Sequence, residues 1–356
     1  MAPTTIKQST AAYERWLGTQ LDGELVEDGL KLKHERMAAE PFPFLRATYW
    51  RWAETILDIC PDLADAPVVL AVGDIHLENF GTWRDVEGRL VWGVNDFDEA
   101  AEMPYALDLV RLATSAMLVR ETHGMDVRDI CASVLEGYTH GLQAPAPIVM
   151  EGEHGWLRKS LDVSDKQRAK FWRNVKPEEE VQPPRRYSEA LRSALPDATI
   201  ELIYGRRTAG IGSLGRPRWI GYGEWRGAPV LREAKAIVPS GWPHAAGRDG
   251  EPLRCGEIAG GRYRSPDPWY DLVGTIVIRR LAVSNRKIEA KDDLFAILGP
   301  DLLRVMGHDL ASVHLGIADR SSQILEDIQK RPRDWLRDAS VAAADAVIAE
   351  HEAWKG

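Results

Sequence analysis

The sequence has few cysteines, no long apolar run and no excess of positive charge. Its three cysteines are far apart and in no paired spacing, which suggests neither a zinc site nor a disulfide framework. The longest apolar stretches, such as residues 66–72, have the length of a strand and are too short to span a bilayer. A formal net charge of −9 argues against nucleic acid or an anionic membrane as the main partner. Since residues 1–13 also lack the apolar core of a signal peptide, we expect a cytoplasmic protein with reduced thiols.

The chain does have an ordinary globular composition and 356 residues, enough for a large two-lobed enzyme. Apolar periodicity and turn residues divide it into segments. The predicted elements are, in chain order, helices over residues 11–57, a buried strand over 67–72, a hairpin over 82–94, helices from 104 to about 197, a small antiparallel sheet from about 205 to 237 with a further strand at 275–283, and helices over 292–298, 301–317 and 339–354. This succession predicts the α+β class.

Two polar segments follow predicted strands and carry side chains at the spacings that phosphoryl transfer uses. Asp74 and Asn79 come directly after the first strand, and Asp96 follows the hairpin. Phosphoryl transfer needs a carboxylate to orient or deprotonate the acceptor hydroxyl, and oxygen ligands to hold magnesium against the phosphates. We therefore predict that Asp74 is catalytic and that Asn79 and Asp96 are magnesium ligands.

Two other interpretations of these segments compete with this one. Either segment alone is more typical of a polar loop whose side chains cap turns, and only their combination at two strand ends favours a site. A two-metal phosphoesterase, suggested by Gly73-Asp74-Ile75-His76, would need further His and Asp ligands. The nine histidines include no Gly-Asn-His and no second Asp-x-His arrangement, which disfavours that alternative.

A glycine pattern of the form Gly-x-Gly-x-x-Gly occurs at Gly210, Gly212 and Gly215. Dinucleotide-binding folds and kinases both use this pattern, so the neighbouring structure must decide between them. A Rossmann loop runs from a strand into a helix, whereas residues 219–225 alternate tryptophan and glycine and are strand-like. A glycine loop between two strands is the kinase arrangement, so we predict that these glycines and Ser213 bind nucleotide phosphates.

A lysine lies at the end of the apolar strand predicted over residues 229–237. If Lys235 is buried it needs an anionic partner, and nucleotide phosphates together with a carboxylate from the next helix would supply one. We predict that Lys235 binds nucleotide and that Glu257 is its carboxylate partner, with Glu251 as the second candidate. The alternative is a lysine on an edge strand, exposed to water.

Asp108 lies on the helix that follows the segment with Asp96. A buried aspartate there would accept hydrogen bonds from the backbone around Asp74 and hold that segment rigid. The role predicted for Asp108 is therefore structural.

The order of these features is unusual for a kinase. The glycine loop and lysine follow the catalytic segment, and only 73 residues precede Asp74, too few for a sheet lobe and its helices. The order becomes sensible if the chain is circularly permuted, because the helix at 302–314 resembles the one that leads into the catalytic loop of aminoglycoside-phosphotransferase-like enzymes. The predicted organisation is a helical segment over 1–60, a catalytic lobe over 61–200, a small sheet lobe over 201–290 and, over 291–356, helices that complete the catalytic lobe.

Several motifs together resemble the bacterial domain-of-unknown-function family 2252. They are Pro-Phe-Pro-Phe-Leu-Arg at residues 41–46, Gly-Asp-Ile-His-Leu-Glu-Asn-Phe-Gly at 73–81, Asn-Asp-Phe-Asp-Glu at 95–99, Asp-Leu-x-Arg-Leu-Ala-x-Ser at 108–115 and Gly-Ile-Gly-Ser-Leu-Gly at 210–215. The resemblance spans nearly the whole chain. It implies phosphate-facing and metal-binding positions at Asp74, Asn79, Asp96, Gly210, Gly212, Gly215 and Lys235.

The chain departs from the family pattern in two places. Asp98 replaces a glycine after Asp96-Phe97, and would either bind a second metal or cap the next turn. Residues 259–262 read Ala-Gly-Gly-Arg where the family tends to have Glu-Gly-Gln-Arg. This second difference weakens the expected pairing of Lys235 with a helix carboxylate.

The leading hypothesis is an ATP- and magnesium-dependent phosphotransferase of kinase-like type, with a small-molecule or protein acceptor. The competing hypothesis is a pseudokinase that binds nucleotide, or none, and acts through protein contacts. The full set of Asp74, Asn79 and Asp96 favours the enzyme, and the uncertain partner of Lys235 favours the pseudokinase. The oligomeric state is left open.

Overall fold

The secondary structure comes from a computed structural model, which describes residues 4–119, 124–287 and 298–356. Helices make up 48% of the structure and strands 15%, and the described strand pairs are antiparallel, which confirms the α+β class. No helix within the described ranges is long and apolar enough to cross a membrane.

The helical stretch predicted over residues 11–57 is confirmed, but it is divided into four helices. These are α1 (Ile6–Gln20), α2 (Glu27–Ala39), α3 (Pro41–Ala47) and α4 (Tyr49–Ile59). The Thr5 side chain caps α1, and Pro41 occupies the first turn of α3, where its missing N–H costs no hydrogen bond. The predicted apolar face is buried: Phe44, Leu45, Tyr49, Trp52 and Ile56.

Two small sheets and a buried helix form the next part of the chain. The elements are β1 (Val68–Ala71) paired with β4 (Ala101–Pro104), β2 (Phe80–Arg84) and β3 (Leu90–Val94) joined to β5 (Ile148–Val149), then α5 (Tyr105–Met117) and α6 (Val127–Gln143). The predicted strand and hairpin are therefore confirmed. Every residue of α5 is buried, so this helix is the centre of the core.

The end of the chain packs back onto this helical part. Helix α12 (Pro300–His314) lies against α6 so closely that a Cβ on Gly137 would come within 1.9 Å of the Arg304 carbonyl oxygen. A Cβ on Gly307 would come within 2.2 Å of the Val134 carbonyl oxygen. These glycines allow the two backbones to touch, so sequence-distant helices share one core.

A five-stranded antiparallel sheet forms the other half, after α7 (Gly155–Ser160), α8 (Asp165–Val175) and α9 (Arg185–Ser193). Its order is β6-β7-β8-β10-β9, with β6 (Ile203–Arg206), β7 (Arg218–Trp225), β8 (Ala228–Ala236), β9 (Asp271–Val273) and β10 (Ile276–Arg280). The tight turn between β7 and β8 uses Arg226 and Gly227, both with positive φ, as a two-residue hairpin of this type requires. The predicted small sheet is confirmed, and β9 was not predicted.

The remaining helices are α10 (Gly241–Ala245), α11 (Cys255–Ala259), α13 (Ser321–Lys330) and α14 (Trp335–Lys355). The helix predicted over 301–317 ends earlier, at His314, and the helix predicted over 339–354 begins earlier, at Trp335. The helix α13 was not predicted. Of the helix predicted over 292–298, residues 292–297 lie outside the described residues.

Candidate functional site

A buried aspartate of α5 holds the backbone that leads from β1 to Asp74. Asp108 accepts hydrogen bonds from the backbone nitrogens of Val72, at 2.7 Å, and Gly73, at 3.0 Å. Its carboxylate also lies 3.0 Å from Nε2 of His314. Gly73 has φ of +80°, and a Cβ there would come within 2.3 Å of a carbonyl oxygen, so the turn requires glycine. The structural role predicted for Asp108 is confirmed.

Asp74 is paired with a fully buried arginine of the same helix. Nη2 of Arg111 donates to Oδ1 of Asp74 at 2.5 Å and to the Leu45 carbonyl oxygen at 2.8 Å. Burial raises the pKa of Asp74 to about 7, and the charge of Arg111 opposes this rise only in part. A carboxyl with a pKa near neutrality can exchange a proton with an acceptor hydroxyl at physiological pH.

The amide of Asn79 closes the segment that begins at Asp74. Asn79 ends a short 3-10 turn that the His76 side chain caps through Nδ1, which accepts from the backbone nitrogen of Glu78 at 3.1 Å. Nδ2 of Asn79 donates to the Asp74 carbonyl oxygen at 2.8 Å. Because the amide nitrogen is engaged, the amide oxygen is the atom left to act as a cation ligand.

A second buried aspartate holds the other segment, and the sequence analysis missed it. Asp309 of α12 accepts from the backbone nitrogen of Val94 at 2.7 Å and from Nη1 of Arg264 at 2.9 Å. A Cβ on Gly93 would come within 2.5 Å of this carboxylate, so the glycine makes room for it. An aspartate on the apolar face of a predicted helix, between Leu302 and Val313, was the signal that could have revealed it.

Lys235 lies beside two of the three carboxylates of the second segment, Asp96 and Asp98. Its Nζ is 3.2 Å from Oδ1 of Asp96 and 2.5 Å from Oδ1 of Asp98, and Nζ of Lys287 is 3.7 Å from Oδ2 of Asp96. Burial alone would raise the pKa of Asp96, but the charges of Lys235 and Lys287 hold it well below its ordinary range. The pKa of Asp98 is raised by burial and by the charge of Asp96.

The glycine loop joins β6 to β7 and approaches Asp74 closely. A Cβ on Gly212 would lie 3.1 Å from the Arg46 carbonyl oxygen and 3.3 Å from Oδ2 of Asp74. Gly210 has φ of +72°, which favours glycine. Nη2 of Arg218 donates to Oγ of Ser213 at 2.5 Å and fixes the loop to the sheet.

The last glycine of this loop contacts the N-terminal helices instead of the site. The backbone nitrogen of Val26 donates to the Gly215 carbonyl oxygen at 2.9 Å. A Cβ on Gly215 would come within 2.5 Å of the Leu30 side chain, and one on Gly29 within 2.6 Å of the Gly215 nitrogen. Helix α2 therefore supports the loop, and packing explains Gly215.

Glu257 does not pair with Lys235, and that prediction is corrected. Helix α11 is a single turn that leaves Glu257 exposed, where its Oε2 lies 2.5 Å from Nε of Arg254. The second candidate, Glu251, pairs with Arg248 at 2.7 Å. The carboxylates beside Lys235 are instead Asp96 and Asp98, 139 and 137 residues away in sequence.

Two further carboxylates beside the site form ion pairs that the sequence analysis did not predict. Nη2 of Arg216, just after the glycine loop, donates to Oε1 of Glu99 at 2.9 Å, and Oε2 of Glu99 accepts from the Gly241 backbone nitrogen at 2.7 Å. Glu233, fully buried on β8, contacts the guanidinium groups of three arginines. Both carboxylates lie in segments that the sequence analysis treated as a loop end and a strand.

These groups surround one small space, which we call the acidic cavity. Its volume is about 50 Å³. Its lining includes Asp74, Asn79, Asp96, Asp98, Glu99, Gly210, Gly212 and Ser213. Among the described residues no group of three or more His, Cys, Asp and Glu side chains is arranged to hold a metal ion. A cation here would therefore need further oxygen ligands from a bound molecule.

The fold and this cavity define an α+β protein with two aspartate segments facing a glycine loop. Residues 25–170 match the model of a family described as an uncharacterized protein conserved in bacteria (DUF2252). The matched part contains the motifs at 41–46, 73–81, 95–99 and 108–115, and does not include the glycine motif at 210–215. Searches among curated proteins and among solved structures found no match.

Proposed function

We propose that this protein is an ATP- and magnesium-dependent phosphotransferase of kinase-like type, located in the cytoplasm and acting on a small-molecule or protein acceptor. One observation carries the proposal. A glycine loop between two strands and two aspartate segments meet around one cavity, and a buried lysine on the next strand pairs with Asp96 and Asp98 of the second segment. More than a hundred residues separate the aspartate segments from the loop and the lysine in sequence. This combination matches the parts that phosphoryl transfer requires.

In this proposal Asp74 orients the acceptor hydroxyl and receives its proton. The near-neutral pKa of the carboxyl suits that role, and Arg111 fixes its orientation through a hydrogen bond of 2.5 Å. Asp108 is a positioning residue, because it contacts the backbone before Asp74 and not the cavity. The acceptor would approach from the side of Arg46, which lines the same cavity.

The residues present fit magnesium bound together with phosphates. Magnesium is usually held by one or two carboxylates plus substrate phosphates, and not by a cage made of protein alone. Asp96, Asp98 and the amide oxygen of Asn79 provide such a partial set. Lys235 pairs with both aspartates, so magnesium and phosphate would replace these ion pairs with their own contacts.

The phosphates of ATP would lie between the glycine loop and Lys235. Gly212 has no side chain, so its backbone can come close to a phosphate, and Ser213 offers a hydroxyl group.

The permuted kinase-like fold belongs to the same proposal. It is supported by the position of the glycine loop between the first two strands of the sheet and of Lys235 on the third. It is also supported by α12, which packs on α6 and supplies Asp309 to the segment before Asp96. A helix from the end of the chain thus belongs to the same half as β1–β5.

A nucleotide-binding pseudokinase is the second candidate. The ion pairs of Lys235 with Asp96 and Asp98 favour it, because they engage the side chains that would otherwise bind phosphate and magnesium. In that case nucleotide binding would regulate contacts with another protein, and no phosphoryl group would be transferred.

The first test is thermal unfolding with ATP and magnesium together and separately. Ligand at about 100 times its dissociation constant should raise the free energy of unfolding by about 2.7 kcal/mol. Lys235→Ala should weaken nucleotide binding, and Lys330→Ala, at an exposed lysine of α13, is the matched control. If no nucleotide shifts the melting temperature, both candidate functions fail.

The second test separates the two candidates. The protein is incubated with ATP, magnesium and a bacterial metabolite extract, and the products are analysed by mass. An acceptor that gains a phosphoryl group supports the enzyme. The pseudokinase is supported if ATP binds and neither a phosphorylated acceptor nor ADP is formed.

A further inference from the structure

A second space adjoins the acidic cavity and has the opposite charge. We call it the basic pocket, and its volume is about 220 Å³. Its charged lining residues are Arg207, Arg264, Asp267, Arg279, Arg280 and Lys287. Lys287 lines both spaces, so the two adjoin at this residue. Five cations and one carboxylate line the pocket, so its surface strongly favours anions.

The positive charge extends behind the lining, where three guanidinium groups share one carboxylate. Glu233 contacts Arg207, Nη1 of Arg218 at 2.9 Å and Nε of Arg279 at 2.7 Å. Burial would raise the pKa of Glu233, but these charges hold it well below its ordinary range. One carboxylate cannot neutralise three guanidinium groups, so positive charge remains beside the pocket.

The nearby aspartates do not remove this excess. Asp96 and Asp98 line the acidic cavity and pair with Lys235, and Asp96 also lies beside Lys287. Asp309 pairs with Arg264 and Asp267 with Arg280. The excess charge therefore lies at Arg207 and Arg279, which share Glu233 with Arg218. The pKa of Arg207 is lowered by burial and by the neighbouring charges of Arg279 and Arg218, against the attraction of Glu233. Crowded, partly desolvated cations are costly unless an anion accompanies them.

A buried guanidinium of the lining has one nitrogen without a partner. The Arg264 side chain is 3% exposed, and its Nη1 contacts Asp309. Its Nε has no hydrogen-bond partner within the described part of the chain. The guanidinium stacks 5.1 Å from the Trp83 ring, which fixes its plane at the pocket wall. Planar guanidinium groups fixed in this way suit phosphate recognition.

We propose that the basic pocket binds a phosphate ester group, in addition to the phosphates under the glycine loop. This inference rests on the proposed function only for the identity of the ligand that carries the group. The phosphate belongs either to the donor, as on a nucleoside phosphorylated at both its 3′ and 5′ positions, or to a phosphorylated acceptor. In both cases Arg207 and Arg279 contact the phosphate oxygens from the sheet side.

The test begins with inorganic phosphate as the probe, at constant ionic strength. Phosphate should raise the melting temperature of the wild type in a saturable manner, and chloride should not. Arg207→Gln should weaken phosphate binding at least about tenfold, the loss expected for one charge-assisted hydrogen bond. Glu233 keeps two arginine partners in this variant, so the fold should persist.

Two controls locate the effect. Arg206→Gln changes the adjacent arginine, which is exposed and stacks on Trp219 outside the pocket, and should bind phosphate like the wild type. Lys330→Gln removes an exposed charge on α13, away from both spaces, and should also bind phosphate like the wild type. If Arg207→Gln binds phosphate as tightly as the wild type, the proposal is overturned.

A further comparison identifies the source of the phosphate and separates this inference from the proposed function. Adenosine 3′,5′-bisphosphate binding tighter than adenosine 5′-monophosphate, with the gain lost in Arg207→Gln, supports a donor phosphate. Equal binding of both nucleotides, with phosphate binding still dependent on Arg207, supports an acceptor phosphate. If phosphate binding depends on Arg207 and no nucleotide binds, the pocket stands and the proposed function fails.

Discussion

The acidic cavity and the basic pocket lie on opposite sides of one short segment. Asp96 and Asp98 line the cavity, and the alternate residues Asn95 and Phe97 line the pocket. A four-residue segment thus separates a surface suited to a cation from one suited to an anion. Opposite charges kept apart in this way can bind magnesium and phosphate groups side by side, which one mixed surface would do less well.

The two spaces are also held in place by different means. Around the acidic cavity, Asp108 and Asp309 accept hydrogen bonds from the backbone just before each aspartate segment. Beside the basic pocket, Glu233 is surrounded by side chains of three arginines. Backbone hydrogen bonds therefore hold the segments that carry the aspartates, whereas ion pairs between side chains hold the arginines.

The largest expected effect is a loss of turnover when Asp74, in the acidic cavity, is replaced. Asp74→Asn should preserve nucleotide affinity and lower turnover roughly 10²- to 10⁴-fold, because the amide cannot accept the acceptor proton. Turnover and affinity are measured separately, by product formation and calorimetry. Glu257→Gln, at an exposed carboxylate paired with Arg254, is the control and should change neither. Equal ATP hydrolysis by Asp74→Asn and wild type would show that Asp74 is misassigned.

The pH dependence of stability tests the buried state of the same carboxyl. The pKa of Asp74 is raised from 3.8 to about 7 in the fold, so the native state holds this proton more tightly than the unfolded chain. Stability contributed by the protonated carboxyl is present at low pH and is lost as pH rises through this window, by about 1.4 kcal/mol per pKa unit.

The asparagine in Asp74→Asn does not titrate. The free energy of unfolding of this variant, relative to that of the wild type, should therefore increase as the pH rises from 3.8 to about 7. Urea unfolding at several pH values measures the difference. If the free energy of unfolding depends on pH in the same way in both proteins, the pKa of Asp74 is not raised in the folded state.

Magnesium binding sharpens the contrast between the two spaces. Asp96→Asn should remove most of the magnesium-dependent part of the stabilisation by ATP, which is about 2.7 kcal/mol in total at 100 times the dissociation constant. An amide is a poorer ligand for a hard cation than a carboxylate. Arg207→Gln should keep the magnesium dependence. If the magnesium dependence is lost in Arg207→Gln and kept in Asp96→Asn, then magnesium binds in the basic pocket and not in the acidic cavity.

The smallest effect concerns the approach of the glycine loop to Asp74. Gly212→Ala places a Cβ at 3.1 Å from a carbonyl oxygen and 3.3 Å from Asp74, so the loop must shift by a few tenths of an ångström. We expect a loss of about 1 kcal/mol in stability, within the usual range for overpacking. Gly152→Ala, where a Cβ meets nothing within 4 Å, is the control. If Gly212→Ala and Gly152→Ala have the same stability, the close approach of the glycine loop to Asp74 does not require a glycine at position 212.

Much of the fold could be predicted because its signals are local. The periodicity of residues 44–56, the hairpin around β2 and β3, and the glycine-rich turn all depend on neighbours within a few positions. The role of Asp108 was also predictable, since the helix that carries it follows the segment with Asp96 closely in sequence. The strands β4, β5 and β9 were missed because each has only two to four residues, too few for an alternating pattern. The helix α13 was missed although Ile324, Leu325 and Ile328 follow helical spacing.

The sequence by itself determined which segments carry the aspartates, glycines and lysine of the candidate site, since each occurs in a contiguous motif. Only the tertiary structure decided that Lys235 meets Asp96 and Asp98 instead of Glu257, and that Asp309 holds the segment before Asp96. The basic pocket could not be predicted from the sequence either, because its arginines come from separate strands and loops. Backbone hydrogen bonding and periodicity act over a few residues, whereas charge pairing joins residues that only the packed fold brings together.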